Sequence, residues 1–170
     1  MIGATNDLIL QWLEEYRDCA LLLIPLIAFA EACVGLGLFV SGFILVGVAS
    51  VLVSTEIATL PQILPLAFIG AFSGDHLGFY VGRIFGPRFH RSRLADKYRS
   101  SIDRAEAMIH ARGAWAILIG RFMPAIRSLL PAMLGISGFD RTRYSLVDAL
   151  ACLLWAAGLG LIVTGTTSVL

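Results

Sequence analysis

Charge is scarce in this chain, and the little there is falls in a few places. Charged residues make up 15% of the 170 and hydrophobic ones 58%, with a mean hydropathy of +0.82. A soluble domain carries about 25% charged residues, so this shortage excludes one. Basic residues are nearly missing from the first half: before Arg83 there is only Arg17, against seven acidic residues. The N-terminus therefore has no basic n-region, and no signal peptide is expected. Cysteine is sparse too. Cys19, Cys33 and Cys152 stand apart in apolar segments, with no CxxC and no histidine partner. That excludes a disulfide framework and a metal site, and they read as small buried hydrophobes. His76, His90 and His110 lack ligand spacing and are given no role. With no nucleophile and base together and no carboxylate cluster, an enzyme is not expected, nor a cofactor, a metal or a nucleic-acid partner.

What the chain has instead is long apolar blocks, and they define an all-α polytopic membrane protein with one domain, residues 1–170. Residues 1–18 mix apolar and acidic positions at helical spacing and read as an amphipathic interfacial helix, with Trp12 and Tyr16 at a suitable depth. From Cys19 to Ser54 the only charge is Glu31. One crossing needs ~20 residues, and this run is too long for one and short for two. Its glycine-rich middle lacks a polar turn, so 19–54 is expected to be a re-entrant hairpin shaped at Gly42. A transmembrane helix is expected over 57–86, with Gly70, Gly74, Gly78, Gly82 and Gly86 forming a ridge that lets another helix of the same fold approach closely. From Arg83 to Arg112 there are eight basic and three acidic residues. By the positive-inside rule that puts 83–112 in the cytoplasm, with 87–112 a basic connector. The last transmembrane helix is expected over 143–166.

Between connector and last helix lies Arg121-Phe122-Met123-Pro124-Ala125-Ile126-Arg127-Ser128-Leu129-Leu130-Pro131. Two prolines break a helix, and two guanidiniums cannot face lipid. Broken backbone at membrane depth survives only inside protein or beside a water-filled cavity. Basic residues flank the run at both ends, so both ends belong on the cytoplasmic face. Residues 113–140 therefore read as a second re-entrant hairpin, shaped by Pro124, Pro131 and Gly135. Hairpin then span, connector, hairpin then span gives two inverted repeats, a plan in which transporter sites form near the midplane.

These stretches resemble the DedA family of bacterial membrane proteins, related to the VTT-domain proteins of eukaryotic membranes. The match rests on Gly74-Asp75 with Tyr80-Val81-Gly82-Arg83 and Gly86. It rests also on Gly120-Arg121-Phe122-Met123-Pro124-Ala125-Ile126-Arg127 with Pro131 and Gly135, and on Trp155 in the final helix. The resemblance implies a bacterial inner membrane, two opposed hairpins, dependence on the proton gradient, and a phosphate-bearing lipid as cargo, undecaprenyl phosphate or a phospholipid. Glu31 matches the family's first glutamate. The Pro-Gly-acidic turn that should follow reads Ser41-Gly42-Phe43, so the second carboxylate is missing, and Asp148 stands where an asparagine is common.

Arg121 and Arg127 are the expected phosphate ligands, because a guanidinium's planar fork makes paired, charge-assisted bonds to phosphate. The competing reading is that each satisfies a protein carboxylate or a helix-end carbonyl. Glu31, Asp75 and Asp148 are candidates for proton coupling, since burial raises and a nearby arginine lowers a carboxylate's proton affinity. For Glu31, plain solvation near the outer interface is the competing reading. Four functions follow from these residues: a lipid transporter, a small-ion antiporter with the same fold, an enzyme acting on lipid phosphates, and a scaffold. The first is preferred, with membrane lipids and protons as partners and homo-oligomerisation left open.

Overall fold

A computed structural model of the chain describes residues 17–38, 42–89, 100, 107, 115–121 and 127–167. The interfacial helix expected at 1–18 and the connector at 87–112 fall almost wholly outside the described residues, and Pro124 falls outside them entirely. Every element among the described residues is helical: α1 (Arg17–Ala32), α2 (Gly42–Ser54), α3 (Leu60–Phe89), α4 (Trp115–Arg121), α5 (Leu130–Ile136) and α6 (Arg141–Thr167), with one 3-10 turn at Leu36–Leu38.

Local chemistry sets the ends of these helices. Thr59 is the N-cap of α3, and the side chain of Gln62 reaches back to accept from the Thr59 backbone N–H at 3.0 Å, half of a capping box. This fixes the start of α3 later than the expected span of 57–86, and the helix continues past Gly86 to Phe89. Pro131 sits in the first turn of α5, where its missing N–H costs nothing. That helix ends on Gly138, at φ +74, with Phe139 N donating to Leu134 O and Gly138 N to Gly135 O. The pattern is a Schellman cap, and a left-handed residue there is why glycine is present. Asp140 then caps α6, its carboxylate accepting from Arg143 N at 2.8 Å.

Length separates the helices into two kinds. At 1.5 Å per residue, the described parts of α1 and α2 reach about 24 Å and 20 Å, beside a hydrocarbon core of about 30 Å. By the same measure α3 spans about 45 Å and α6 about 40 Å. Helix α6 is long and apolar enough to cross a membrane.

The glycine ridge of α3 positions everything else. A Cβ added at Gly70 would fall on the backbone of Pro25, and one at Gly74 would lie 2.7 Å from Phe29 O and 2.8 Å from the Ala32 Cβ. Both sequences ascend together, so α1 and α3 run in the same direction. Farther along, a Cβ added at Gly78 would lie 2.6 Å from Val34 and 3.4 Å from Pro131, and one at Gly82 would fall on the backbone of Ala132. Gly135 returns the contact against the backbone of Phe79 and Arg83. Gly135 is thus not in a turn but inside α5, as its smallest point. The first half of α3 carries α1 and the second half carries α5, and the two segments meet at Gly78. A Cβ added at Gly37 would lie 3.0 Å from the Ser128 Cβ, so these two segments also pack together.

Two apolar cores result. One joins α1, α2, the start of α3 and the end of α6 through Ile24, Leu45, Ile63, Leu159 and Val163. The other joins the far half of α3 with α4, α5 and the start of α6 through Phe79, Ile117, Leu134 and Tyr144. Helix α6 runs opposite to α3, since His76 meets Ser145 while Gly160 meets Leu64. On α3 the boundary between the cores falls at Asp75 and His76.

Candidate functional site

Charges occupy that boundary. Glu31, Asp75, Arg121 and Asp148 are all buried, which is costly unless each finds a partner. Asp75 comes from the middle of α3, Arg121 from the last residue of α4 and Asp148 from the second turn of α6. Arg121 Nη1 donates to Asp75 Oδ2 and lies 3.7 Å from Asp148 Oδ1. Arg127, just before the turn Ser128–Leu129 that leads into α5, donates from Nη1 to Glu31 Oε1 at 2.6 Å. Glu31 is the penultimate residue of α1 and has a basic partner in a distant segment of the chain.

Trp155 lies between the two pairs. Its ring centroid is 5.4 Å from the Arg121 Cζ and 5.8 Å from the Arg127 Cζ, so one indole is in cation–π range of both guanidiniums. Asp148, Cys152 and Trp155 follow one another at helical spacing on a single face of α6. Cys152 Sγ is 3.9 Å from Asp75 Oδ2 and from Asp148 Oδ2.

The site is under-satisfied in a directed way. Arg121 Nε and Nη2, Arg127 Nη2, Ser128 Oγ and Tyr144 OH are buried without a hydrogen-bond partner among the described residues. All five carry an N–H or O–H, so each has a donor without an acceptor; Glu31 Oε2 is the one atom among the six that can only accept. Arg121, Arg127, Tyr144, Asp75, Asp148 and Pro131 line a cavity of about 10 Å³, the room a single water needs. An anion larger than that enters only if the ion pairs open.

The sequence-predicted residues therefore converge. Arg121, Arg127, Glu31, Asp75 and Asp148 form one layer, with Pro131 at its edge. Gly42 is the first residue of α2, and the turn before it bends at Gly35, φ +86. Gly42 instead leaves room for the Glu31 carboxylate, which would stand 2.6 Å from an added Cβ. Phe43, where the family resemblance expects an acid, is 86% exposed and outside the layer. Sequence reasoning missed the use of Trp155, Tyr144, Ser128 and Cys152. It also missed His76, which bonds Ser145 Oγ through Nε2 at 2.8 Å and sits 3.4 Å from Asp148 through Nδ1.

Asp75, Asp148 and Cys152 bring three potential ligand atoms within 4.8 Å of one another. A guanidinium already rests against both carboxylates there, and a divalent ion would face that fixed positive charge. The cation of this cluster is Arg121.

A helical membrane protein with paired charges at depth is the class these features define. The VTT domain family model matches residues 34–164, and the chain belongs to that family. Among curated relatives it is 26% identical to "Inner membrane protein YabI" of Escherichia coli over 80% of this chain and 54% of that one. It is 30% identical to "Inner membrane protein YqjA" of the same organism over 69% of this chain and 54% of that one. With "Protein DedA", also of Escherichia coli, it shares 26% identity over 83% of this chain and 66% of the relative. The chain thus spans less than two thirds of the length of these relatives. It is an inner-membrane protein, as they are. No solved structure matches it.

Proposed function

We propose that this chain carries a phosphate-bearing lipid, undecaprenyl phosphate or a phospholipid, across the inner membrane. In this reading α1 with α2 and α4 with α5 are re-entrant hairpins entering from opposite faces, the second from the cytoplasmic face that holds the basic segment 83–112. The parallel course of α1 and α3, with α1 and α5 on opposite halves of α3, supports that arrangement. So does the family to which the chain belongs.

One observation carries the functional reading: two guanidiniums with N–H groups unpartnered among the described residues both lie within 6 Å of the Trp155 ring at the layer between the cores. The carboxylates act as internal counter-ions. Protonating Glu31 or Asp75 removes its negative charge and frees a guanidinium for phosphate; deprotonation restores the ion pair and expels the lipid. Proton release and lipid release are thereby linked, without Phe43 contributing a second carboxylate in the first hairpin.

Translocation of headgroup-labelled lipid in proteoliposomes tests this. Arg121→Ala and Arg127→Ala should abolish it. Arg121→Lys and Arg127→Lys keep the charge and the fold but lose the fork, and should reduce it strongly. Unchanged translocation in all four variants refutes the assigned site. The Asp75–Asp148 pair with His76 beside it favours a second reading, a proton-dependent small-ion antiporter. Cation flux measured on the same vesicles separates the two. A phosphate-release assay should be flat, and turnover there would favour an enzyme.

A further inference from the structure

Charge does not balance within the larger half of the buried layer. Among the described residues Asp75 and Asp148 both lie within 4 Å of Arg121, the other cation of the cavity, Arg127, is paired with Glu31, and both carboxylate side chains are 2% exposed. Two negative charges against one positive leave an excess that burial does not tolerate, so a proton or a second cation belongs there. The titratable side chain placed to supply it is His76.

His76 is the residue after Asp75 on α3, and its side chain is 17% exposed, against 2% for Asp148. Its Nδ1 lies 3.0 Å from Phe72 O and 3.4 Å from Asp148 Oδ2, while Nε2 is 2.8 Å from Ser145 Oγ. Phe72 and Tyr144 hold the ring, with centroids at 4.0 Å and 5.2 Å. The charged and titratable groups around it are Asp75 and Tyr80 on its own helix, and Asp148, Tyr144 and Cys152 on α6. From α4, Arg121 acts through Asp148.

We propose that His76 is the proton port of the buried carboxylate pair. In the neutral ring Nδ1 carries the proton, shared between Phe72 O and Asp148, and Nε2 accepts from the Ser145 hydroxyl. A proton arriving at Nε2 makes imidazolium, and Nδ1 passes its own proton to Asp148 Oδ2. The ring is left as the other neutral tautomer, and the reverse transfer resets it. Both nitrogens are used, which is the property that lets histidine relay a proton. The coupling of this port to lipid movement rests on the transport reading above; the port itself does not.

The test therefore uses no lipid cargo. Purified full-length protein in membranes is given a pH jump, and the carboxylic-acid carbonyl band is followed by infrared spectroscopy, with Asp148→Asn identifying its contribution. His76→Ala and His76→Gln should retain the band but slow its response by roughly 100-fold. Free imidazole should restore the rate in His76→Ala, which a merely structural role for His76 would not allow. A response as fast as wild type in both folded variants, a slow one that imidazole leaves slow, or a wild-type band untouched by Asp148→Asn overturns the port. A His76-dependent response in a protein that moves no lipid keeps the port and removes the transport reading instead.

Discussion

Arg127 and Glu31 are 96 residues apart in sequence and 2.6 Å apart in space. Their ion pair ties the end of α1 to the turn before α5, and it does so where Val34, Gly78 and Pro131 also meet. Breaking a buried pair from one side leaves a bare charge and costs about 3–5 kcal/mol. Glu31→Ala should therefore lower thermal stability in detergent sharply, and Arg127→Ala should do the same. The double variant should recover much of the loss, giving a coupling energy of about 0.5–3 kcal/mol. Additive losses would mean that the two side chains do not pair in the folded protein.

Trp155 makes a separate prediction. A cation over an aromatic face gains about 0.5–2 kcal/mol, more when water is excluded. Trp155→Phe keeps a smaller face and should lose little stability. Trp155→Leu keeps bulk but no face, and should loosen both arginines together, weakening lipid-phosphate binding at each. Binding of a short-chain lipid phosphate, measured by calorimetry, reads this; equal affinity in the two variants would remove Trp155 from the site.

The glycines separate by what they touch. Gly82 and Gly135 press on backbone, which cannot move aside, so Gly82→Leu and Gly135→Val should prevent accumulation of folded protein. Gly158, in α6, has nothing within 4 Å of an added Cβ. Gly158→Ala should stabilise by about 0.5–1 kcal/mol, because glycine is the poorer helix former. The yield of folded protein for Gly82→Leu and Gly135→Val, and the melting curve of Gly158→Ala, test the contrast.

Much of this layer was legible in the sequence, for a simple reason. An ionisable residue in an apolar run is expensive, so Glu31, Asp75, Arg121, Arg127 and Asp148 stand out without any structure. Who pairs with whom was not legible, because the partners come together only through the packing of α1 and α5 on α3. Nor was the part played by Trp155, since a tryptophan in an apolar helix has many uses. His76 looked idle as a lone histidine. The signal available was its position directly after Asp75, four residues before Tyr80 and four after Phe72, which places three rings along one face. Gly42 was expected to shape a turn because glycine often does, whereas its contribution here is room for a carboxylate.

The turn between α2 and α3 carries a strain that can be released. Glu56 adopts φ 59, a left-handed conformation that costs a residue with a Cβ about 1–2 kcal/mol. Its side chain is exposed, and the surrounding bonds, Glu56 N to Val53 O and Ala58 N to Leu52 O, involve backbone alone. Glu56→Gly should keep those bonds and raise the melting temperature, while Glu56→Val should lower it.

Topology gives the prediction on which the pocket depends. If residues 113–140 enter the bilayer and return, their ends share a face, and single cysteines at Gly113 and Asp140 should react with an impermeant thiol reagent from the cytoplasmic side only. Asp140 caps α6, so a cysteine there still labels if the helix end is retained. A cysteine at Glu56, between α2 and α3, should label only from the opposite side if α3 crosses between them as proposed. The native cysteines Cys19 and Cys33 are replaced first, and the buried Cys152 serves as an internal check that the reagent stays outside. Labelling of Gly113 and Asp140 from opposite faces would make the segment a crossing. Arg121 and Arg127 would then stand in a span with no return path, and the two tips could not meet at Gly78.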